Sequence, residues 1–347
     1  MRKPERILIV RTDRIGDVVL STPAIKNIRR TCPESYIAFM CRPYTKDVLE
    51  GNPYLNEVIV YDKYGKHKGF FSTLKFSRHL AKKKFDWAII LHPTNRANMV
   101  TFLAGIPFRV GWDKKMGFFL NKRIPHLKHK GEKHELEYSL DILREVGIQI
   151  TDKEPFIPEN QAEDSWVESL LKENNIDYKR DRVVGLGIGA SCPSKVWPSR
   201  YFGQLADKLK EELKAKIIVL AEAKEERLTA EFRKIYGQDF LDLTGKLSLA
   251  RAFALLRKLS LFIGNDSGLI HVCWAVKTPV ISIFGRKDPG LSPKRWAPLG
   301  KDSYIFHKDA GCDKCLAHNC KKGYLCLEAI KPKEVFDKAL AILFLQN

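Results

Sequence analysis

The stretch Ile7-Leu8-Ile9-Val10-Arg11-Thr12-Asp13-Arg14-Ile15-Gly16-Asp17, residues 7–17, decides the fold. Its first four residues are apolar without interruption, the mark of a strand buried on both faces. The run then breaks into a polar turn with one glycine. A helical pattern follows from about residue 18 to residue 30 and ends at Cys32-Pro33. A doubly buried strand feeding a helix is the unit of a parallel sheet covered on both sides.

The alternation continues outward from there. Tyr36–Cys41, Glu57–Tyr61, Trp87–Leu91 and Phe108–Gly111 read as strands, with helices near 44–50, 69–84, 97–104 and 132–146. Residues 148–160 contain Pro155 and Pro158 and little periodicity, which marks a linker. After a helix at 162–174 the pattern restarts. Strands are expected at Val183–Ile188, Ile217–Leu220, Phe240–Leu243, Leu261–Ile263 and Val280–Phe284. Helices are expected at 199–214, 224–236, 248–258, 267–276 and 333–345. The fold class is α/β, in two halves, 1–155 and 156–347, with the last helix free to pack back on the first half. In open α/β sheets ligands bind beyond the C-terminal strand ends, so the loops that follow strands, lining a cleft between the halves, are where chemistry is expected.

At 347 residues and 44% hydrophobic the chain can bury two cores, and 29% charged residues do not make it a disordered polyelectrolyte. No apolar run reaches the roughly 18 residues of a membrane span. The opening apolar run, Ile7 to Val10, is too short for a signal-peptide core, so a soluble intracellular protein is expected. The net charge is +19, concentrated in the first half. That excess favours a polyanionic partner: nucleic acid, an anionic membrane surface or a phosphorylated substrate.

Three post-strand loops stand out. In the first, Asp13 lies between Arg11 and Arg14, which tend to keep it ionised, and a carboxylate at a strand mouth can serve as a general base. Asp17 reads better as a helix N-cap, and for Asp13 capping and base roles stand level. The second loop, Gly185–Pro198, is glycine-rich, but Pro193 and Pro198 prevent the direct opening into a helix that a dinucleotide fingerprint needs. Its small residues and Lys195 suit a phosphate instead. In the third, Ile263-Gly264-Asn265-Asp266-Ser267-Gly268-Leu269-Ile270-His271, a strand ends and a helix begins, exposing first-turn amides to an anion. Asp266 or Ser267 can equally be a simple N-cap, and His271 can face the anion or pack on the sheet. Glu222 and Glu225 follow the strand at Ile217–Leu220, where a carboxylate can accept ribose hydroxyls or merely be solvated.

Two further segments carry unusual chemistry. Residues 63–84 mix aromatics with Lys63, Lys66, Lys68, Lys75, Arg78, Lys82, Lys83 and Lys84, a pattern shared by membrane-surface helices and by crossover helices burying Phe70, Leu74 and Leu80. Cys312, Cys315, Cys320 and Cys326 form C-x2-C-x4-C-x5-C, a spacing that can surround one Zn or Fe ion as a structural site or remain as thiols or disulfides.

The opening Ile7–Ala24 segment, together with Lys195-Val196-Trp197-Pro198 and Asn265-Asp266-Ser267-Gly268-Leu269-Ile270-His271, resembles the lipopolysaccharide heptosyltransferases of glycosyltransferase family 9 in order and spacing. The resemblance implies a GT-B fold, two Rossmann-like domains with parallel sheets facing a central cleft. It implies an inverting, metal-independent transfer of heptose from ADP-L-glycero-D-manno-heptose to the lipopolysaccharide inner core. The N-terminal domain would bind a lipid A–Kdo-type acceptor and the C-terminal domain the nucleotide sugar. No cofactor is required on this reading.

Carried over residue by residue, Asp13 becomes the base for the acceptor hydroxyl. Lys195 and Ser191 contact the donor phosphates. Asp266 and the amides of Ser267, Gly268 and Leu269 hold the pyrophosphate, with His271 beside them. Glu225, or second Glu222, meets the ribose. Ser267 stands where many relatives have Thr, and Ala190–Ser194 follows the family pattern loosely. The family also implies a cytoplasmic protein, peripheral on the cytoplasmic face of the inner membrane. The alternatives are a GT-B enzyme with another nucleotide sugar or a protein acceptor, and a basic nucleic-acid-binding protein. Against the last, no RRM core or GXXG clamp is present, so nucleic acid is not expected as a partner.

Overall fold

The computed structural model describes residues 4–344. The chain divides into two units, Met1–Pro158 and Glu159–Asn347.

The first unit is built on six strands: β1 (Arg6–Val10), β2 (Tyr36–Cys41), β3 (Glu57–Val60), β4 (Trp87–Ile90), β5 (Phe108–Trp112) and β6 (Lys122–Ile124). They form one parallel sheet in the order β3-β2-β1-β4-β5-β6. The uninterrupted apolar run lands at the centre, with Ile9 opposite both Phe39 and Ile89. All of Ile7 to Val10 is fully buried. Strand order reverses between β1 and β4, so the loops after these two strands diverge there and leave an opening at their C-terminal ends.

The second unit repeats the plan with β7 (Val183–Gly187), β8 (Lys216–Leu220), β9 (Leu241–Asp242), β10 (Leu261–Asn265), β11 (Val280–Phe284) and β12 (Ser303–His307). Their order is β12-β11-β10-β7-β8-β9, again parallel. Its switch point lies between β7 and β10. Here the Phe262 ring lies over the glycines of the two strands: a Cβ on Gly187 would come within 2.4 Å of it, and one on Gly264 within 2.7 Å. The terminal helix, Pro332–Phe344, packs on the helix Ser199–Leu213 and on β10 of its own unit. Val335, Phe336, Ala339, Ile342 and Leu343 enter that core with Trp197, whose indole N–H donates to the Ile330 carbonyl at 3.0 Å.

Several local expectations are corrected. The helix expected from residue 18 to residue 30 is two helices, Ile15–Val19 and Thr22–Thr31, with Pro23 in the first turn of the second, where its missing N–H costs nothing. The helix expected near 44–50 is a 3₁₀ segment, Pro43–Val48. The edge strands β6 and β12 are additional to the strands expected from the sequence. β6 is three residues long and includes Lys122 and Arg123, the short charged character that protects a sheet edge from unwanted pairing. Among the described residues no helix is long and apolar enough to cross a membrane.

Candidate active site

The loop after β1 is organised by one buried guanidinium. Arg11, 1% exposed, reaches three carboxylates: Asp13 Oδ2 at 2.9 Å, Asp17 Oδ1 at 2.6 Å and Glu135 Oε1 at 3.0 Å. Glu135 Oε1 also accepts from Lys128 Nζ at 2.7 Å, and Lys128 is itself 2% exposed. Two cations therefore meet three carboxylates in a nearly closed space. Burial raises the Asp17 carboxyl above its ordinary range, with Arg11 opposing that shift. His92, just past β4, sets Nδ1 3.6 Å from Asp13 Oδ2. Burial, and then the charges of Arg11 and Lys128, push its imidazole down to about 3, so it is neutral at ordinary pH and does not cancel the carboxylate charge.

Asp13 and Asp17, 14% and 17% exposed, are the more open carboxylates of this group, against 1% for Glu135. The Arg11 Nε–H is close to Asp13 Oδ2 but not aimed at it, and Oδ2 accepts no hydrogen bond. A carboxylate oriented by an ion contact suits proton abstraction, and here Asp13 Oδ2 itself is buried between Arg11 and His92. Its backbone is braced: the Tyr44 hydroxyl donates to the Asp13 carbonyl at 3.0 Å, and Lys63 Nζ to the Thr12 carbonyl at 2.7 Å. Neither aspartate caps a helix, because the N-cap of Ile15–Val19 is Arg14 and has no side-chain cap. The capping preference expected for Asp17 is overridden by the pull of the buried guanidinium.

In the second unit Asn265, at the end of β10, is fully buried. Its Nδ2–H donates to the Ile188 carbonyl at 2.8 Å, and its Oδ1 accepts from the Trp197 N–H at 2.9 Å. It thereby ties the glycine-rich loop and the Lys195 segment to the β10 loop. Asp266, 5% exposed, receives Lys195 Nζ at 3.2 Å and Arg286 Nη2 at 2.5 Å on the same oxygen. Burial lowers the Lys195 ammonium; Asp266 opposes that and Arg286 adds to it. The helix Gly268–Val276 begins at N-cap Ser267 with no side-chain cap, and Ser267, Gly268 and Leu269 are half-buried. An uncapped helix start beside a lysine has the polarity that suits an anion. Ser191 is exposed, and His271 is buried one turn into the helix, 3% exposed.

Glu222 and Glu225 separate. They form a reciprocal capping box at the 3₁₀ turn Ala223–Glu225, with the Glu222 N–H donating to Glu225 Oε2 at 2.8 Å. Glu222 is exposed and paired with Lys224. Glu225 instead lies against the glycine-rich loop, accepts from the Ala190 amide, and occupies the space a Cβ on Gly189 would need. Burial raises its carboxyl above the ordinary glutamate value.

The cysteines near the C-terminus are free thiols. Cys312, Cys315, Cys320 and Cys326 line one cavity of about 360 Å³, which Ser194 and Arg286 also line. Among the described residues no group of three or more His, Cys, Asp or Glu side chains is placed to hold a metal ion. The four thiols share a cavity without converging on one point, which the spacing alone could not reveal.

The basic segment forms the helix Phe70–Ala81, whose inner face buries Thr73, Phe76, Ser77 and Leu80. Phe70 is not in the core: it is 65% exposed and Phe71 82%. Lys66, Lys68, Lys75, Arg78, Lys82 and Lys84 are exposed, whereas Lys83 pairs with Glu57 and Lys63 braces the Asp13 loop.

Sequence reasoning missed Glu135, Lys128, His92, Asn265 and Arg286. His92 and Arg286 follow β4 and β11 directly, so the rule that chemistry sits after strands could have found both. Glu135 and Lys128 are more than a hundred residues from Arg11 and carry no local signal.

The family model described as "Glycosyltransferase family 9 (heptosyltransferase)" matches residues 73–325. The chain is 24% identical over 348 residues to lipopolysaccharide heptosyltransferase 2 of Escherichia coli strain K12, covering 97% of this chain and 98% of that protein. Among solved structures it is similar to the glycosyl transferase family 9 protein of Veillonella parvula DSM 2008, with TM-score 0.88 at 23% identity over 98% and 97% of the two chains. It is also similar to the E. coli ADP-heptose lps heptosyltransferase II, with TM-score 0.79 at 22% identity over 98% and 99%.

Proposed function

The chain belongs to glycosyltransferase family 9, and from that membership we propose that it transfers heptose from ADP-L-glycero-D-manno-heptose to the lipopolysaccharide inner core, with inversion at the anomeric carbon. The observation that carries the reading is the uncapped start of the helix Gly268–Val276 with Lys195 beside it, a positive site on the domain assigned to the donor. The relative matched over nearly its whole length is a lipopolysaccharide heptosyltransferase, which favours this reading over a nucleic-acid-binding role.

In the step itself the acceptor hydroxyl oxygen bonds to the anomeric carbon as the bond from that carbon to the β-phosphate oxygen breaks. Asp13 takes the hydroxyl proton, and ADP leaves with the bonding electron pair. Negative charge grows on the departing β-phosphate. Lys195 and the amides of Ser267, Gly268 and Leu269 stabilise it by fixed positive charge that needs no reorganisation. Asp266 acts by holding Lys195 in place, since a carboxylate cannot itself bind phosphate oxygens. Ser191 and His271 complete the donor surroundings, and Glu225, better placed than Glu222, accepts the ribose hydroxyls. The test is incubation with ADP-heptose and a Kdo-bearing lipid acceptor. One added heptose and released ADP are expected; unchanged acceptor would refute the reading.

The exposed face of the helix Phe70–Ala81 is proposed to rest on the anionic inner-membrane surface, on its cytoplasmic side, where the acceptor lies. Cations flanking the exposed Phe70 and Phe71 suit a headgroup layer. Each basic residue near such a surface contributes about 1 kcal/mol. The triple variant Lys75→Glu, Arg78→Glu, Lys82→Glu is therefore expected to lose co-sedimentation with vesicles containing anionic lipid by at least about a hundredfold. Wild-type binding should also weaken as salt rises. Equal retention on neutral and anionic vesicles would overturn the assignment.

A further inference from the structure

The geometry points to Arg286 as a donor-phosphate ligand: the same oxygen of Asp266 that holds Lys195 also holds Arg286, leaving one buried positive charge and one guanidinium N–H for a phosphate to satisfy. The inference rests on the proposed donor site and deepens it.

The electrostatic count comes first. Lys195 and Arg286 both bear on Asp266 Oδ2, at 3.2 and 2.5 Å, and the side chains are 15%, 6% and 6% exposed for Lys195, Arg286 and Asp266. One carboxylate cannot balance two cations. A buried, uncompensated cation is costly unless an anion completes the set. Hydrogen bonding gives the second, independent observation. Arg286 Nε–H is buried and has no acceptor in the protein, although its neighbour Nη2 is satisfied. Guanidinium is suited to this because its donors are fixed in a planar fork that matches phosphate oxygens.

Position agrees with charge. Arg286 follows β11 directly, one strand over from β10 and its Asp266 loop, and the Asp266 N–H donates to the Ile283 carbonyl at 3.1 Å, which clips the two strand ends together. Gly285 lets the loop after β11 come close to the Lys195 loop, since a Cβ there would lie 2.9 Å from the Ser194 carbonyl oxygen and 2.8 Å from Leu327 Cγ. Arg286 and Ser194 also share the lining of the cavity beside the cysteine loop, so there is room next to the guanidinium. The ligand class is a diphosphate ester, and Asp266 holds the two cations side by side for it.

The test is calorimetric titration of the full chain with ADP and, separately, with inorganic pyrophosphate, which carries no base or sugar. Arg286→Gln is expected to weaken both by about 10- to 100-fold, the loss of one charge-assisted hydrogen bond. Arg286→Lys, which keeps the charge without the planar fork, should weaken them by about tenfold and serves if the glutamine variant does not fold. A role confined to neutralising Asp266 would lower the melting temperature and leave both affinities unchanged. Affinities within threefold of wild type in a folded variant overturn the assignment. If wild type binds pyrophosphate but not ADP, the proposed donor fails while Arg286 is judged on pyrophosphate alone. If wild type binds neither, both fall together.

Discussion

Asp13→Ala is expected to lower turnover about 10²–10⁴-fold, the usual loss on removing a general base, while ADP affinity stays within about twofold of wild type. The split follows from placement. Asp13 lies in the first unit, and the donor phosphates are assigned to Lys195 and the helix Gly268–Val276 in the second. The variant should fold, because Arg11 keeps Asp17 and Glu135 as partners, and Asp13 contributes no helix cap. Asp13→Asn is the stricter control: it keeps the shape of the side chain and removes the charge and the basicity. Steady-state kinetics combined with ADP titration makes the measurement. A fully active Asp13→Ala enzyme would remove Asp13 from the mechanism, and equal loss of turnover and ADP affinity would make its role structural.

Arg11→Met should be the most destabilising single change in the first unit, costing about 3–5 kcal/mol in urea unfolding. The reason is not a strong salt bridge. Replacing a whole buried ionic group by apolar residues is often neutral, but removing one member strands the others. Here the substitution leaves Asp13, Asp17 and Glu135 with Lys128 as the remaining buried cation of the group. Those carboxyls would have to take up protons or draw in water. Surviving protein should also have low turnover, since Asp13 loses the ion contact that orients it. A variant within about 1 kcal/mol of wild type would show that the buried guanidinium is not the organising charge.

The parts of the fold that could be read from the sequence are those where burial writes a local pattern. Ile7–Val10 and Val183–Gly187 are unbroken by polar residues, and Val280–Phe284 is broken only by the buried Ser282, because each strand is covered on both faces. β6 was illegible because Lys122-Arg123-Ile124, at a wetter sheet edge, carries no apolar run, whereas β12 was passed over although it contains Tyr304-Ile305-Phe306. The same distinction governs the site. Lys195, Asp266 and the helix start at Gly268 lie in short post-strand loops and are readable as a phosphate cradle. The partners that tune them arrive from afar. Glu135 reaches Arg11 across 124 residues, and no spacing rule links them. Arg286 was missed although it sits in a post-strand loop, because a surface arginine in a basic chain looks ordinary until its burial is known. The four cysteines, close in sequence, line one cavity, and among the described residues no group of three or more potential ligands is placed to hold a metal ion.

Mass spectrometry and anomeric NMR of the product, made from ADP-heptose and a Kdo-bearing lipid acceptor with UDP- and GDP-sugars as competitors, test the central claim most directly. A single added heptose is expected, drawn from the ADP donor and inverted at its anomeric carbon, formed by wild type and almost absent with Asp13→Ala. A sugar taken from another nucleotide, or a product with retained configuration, would contradict it.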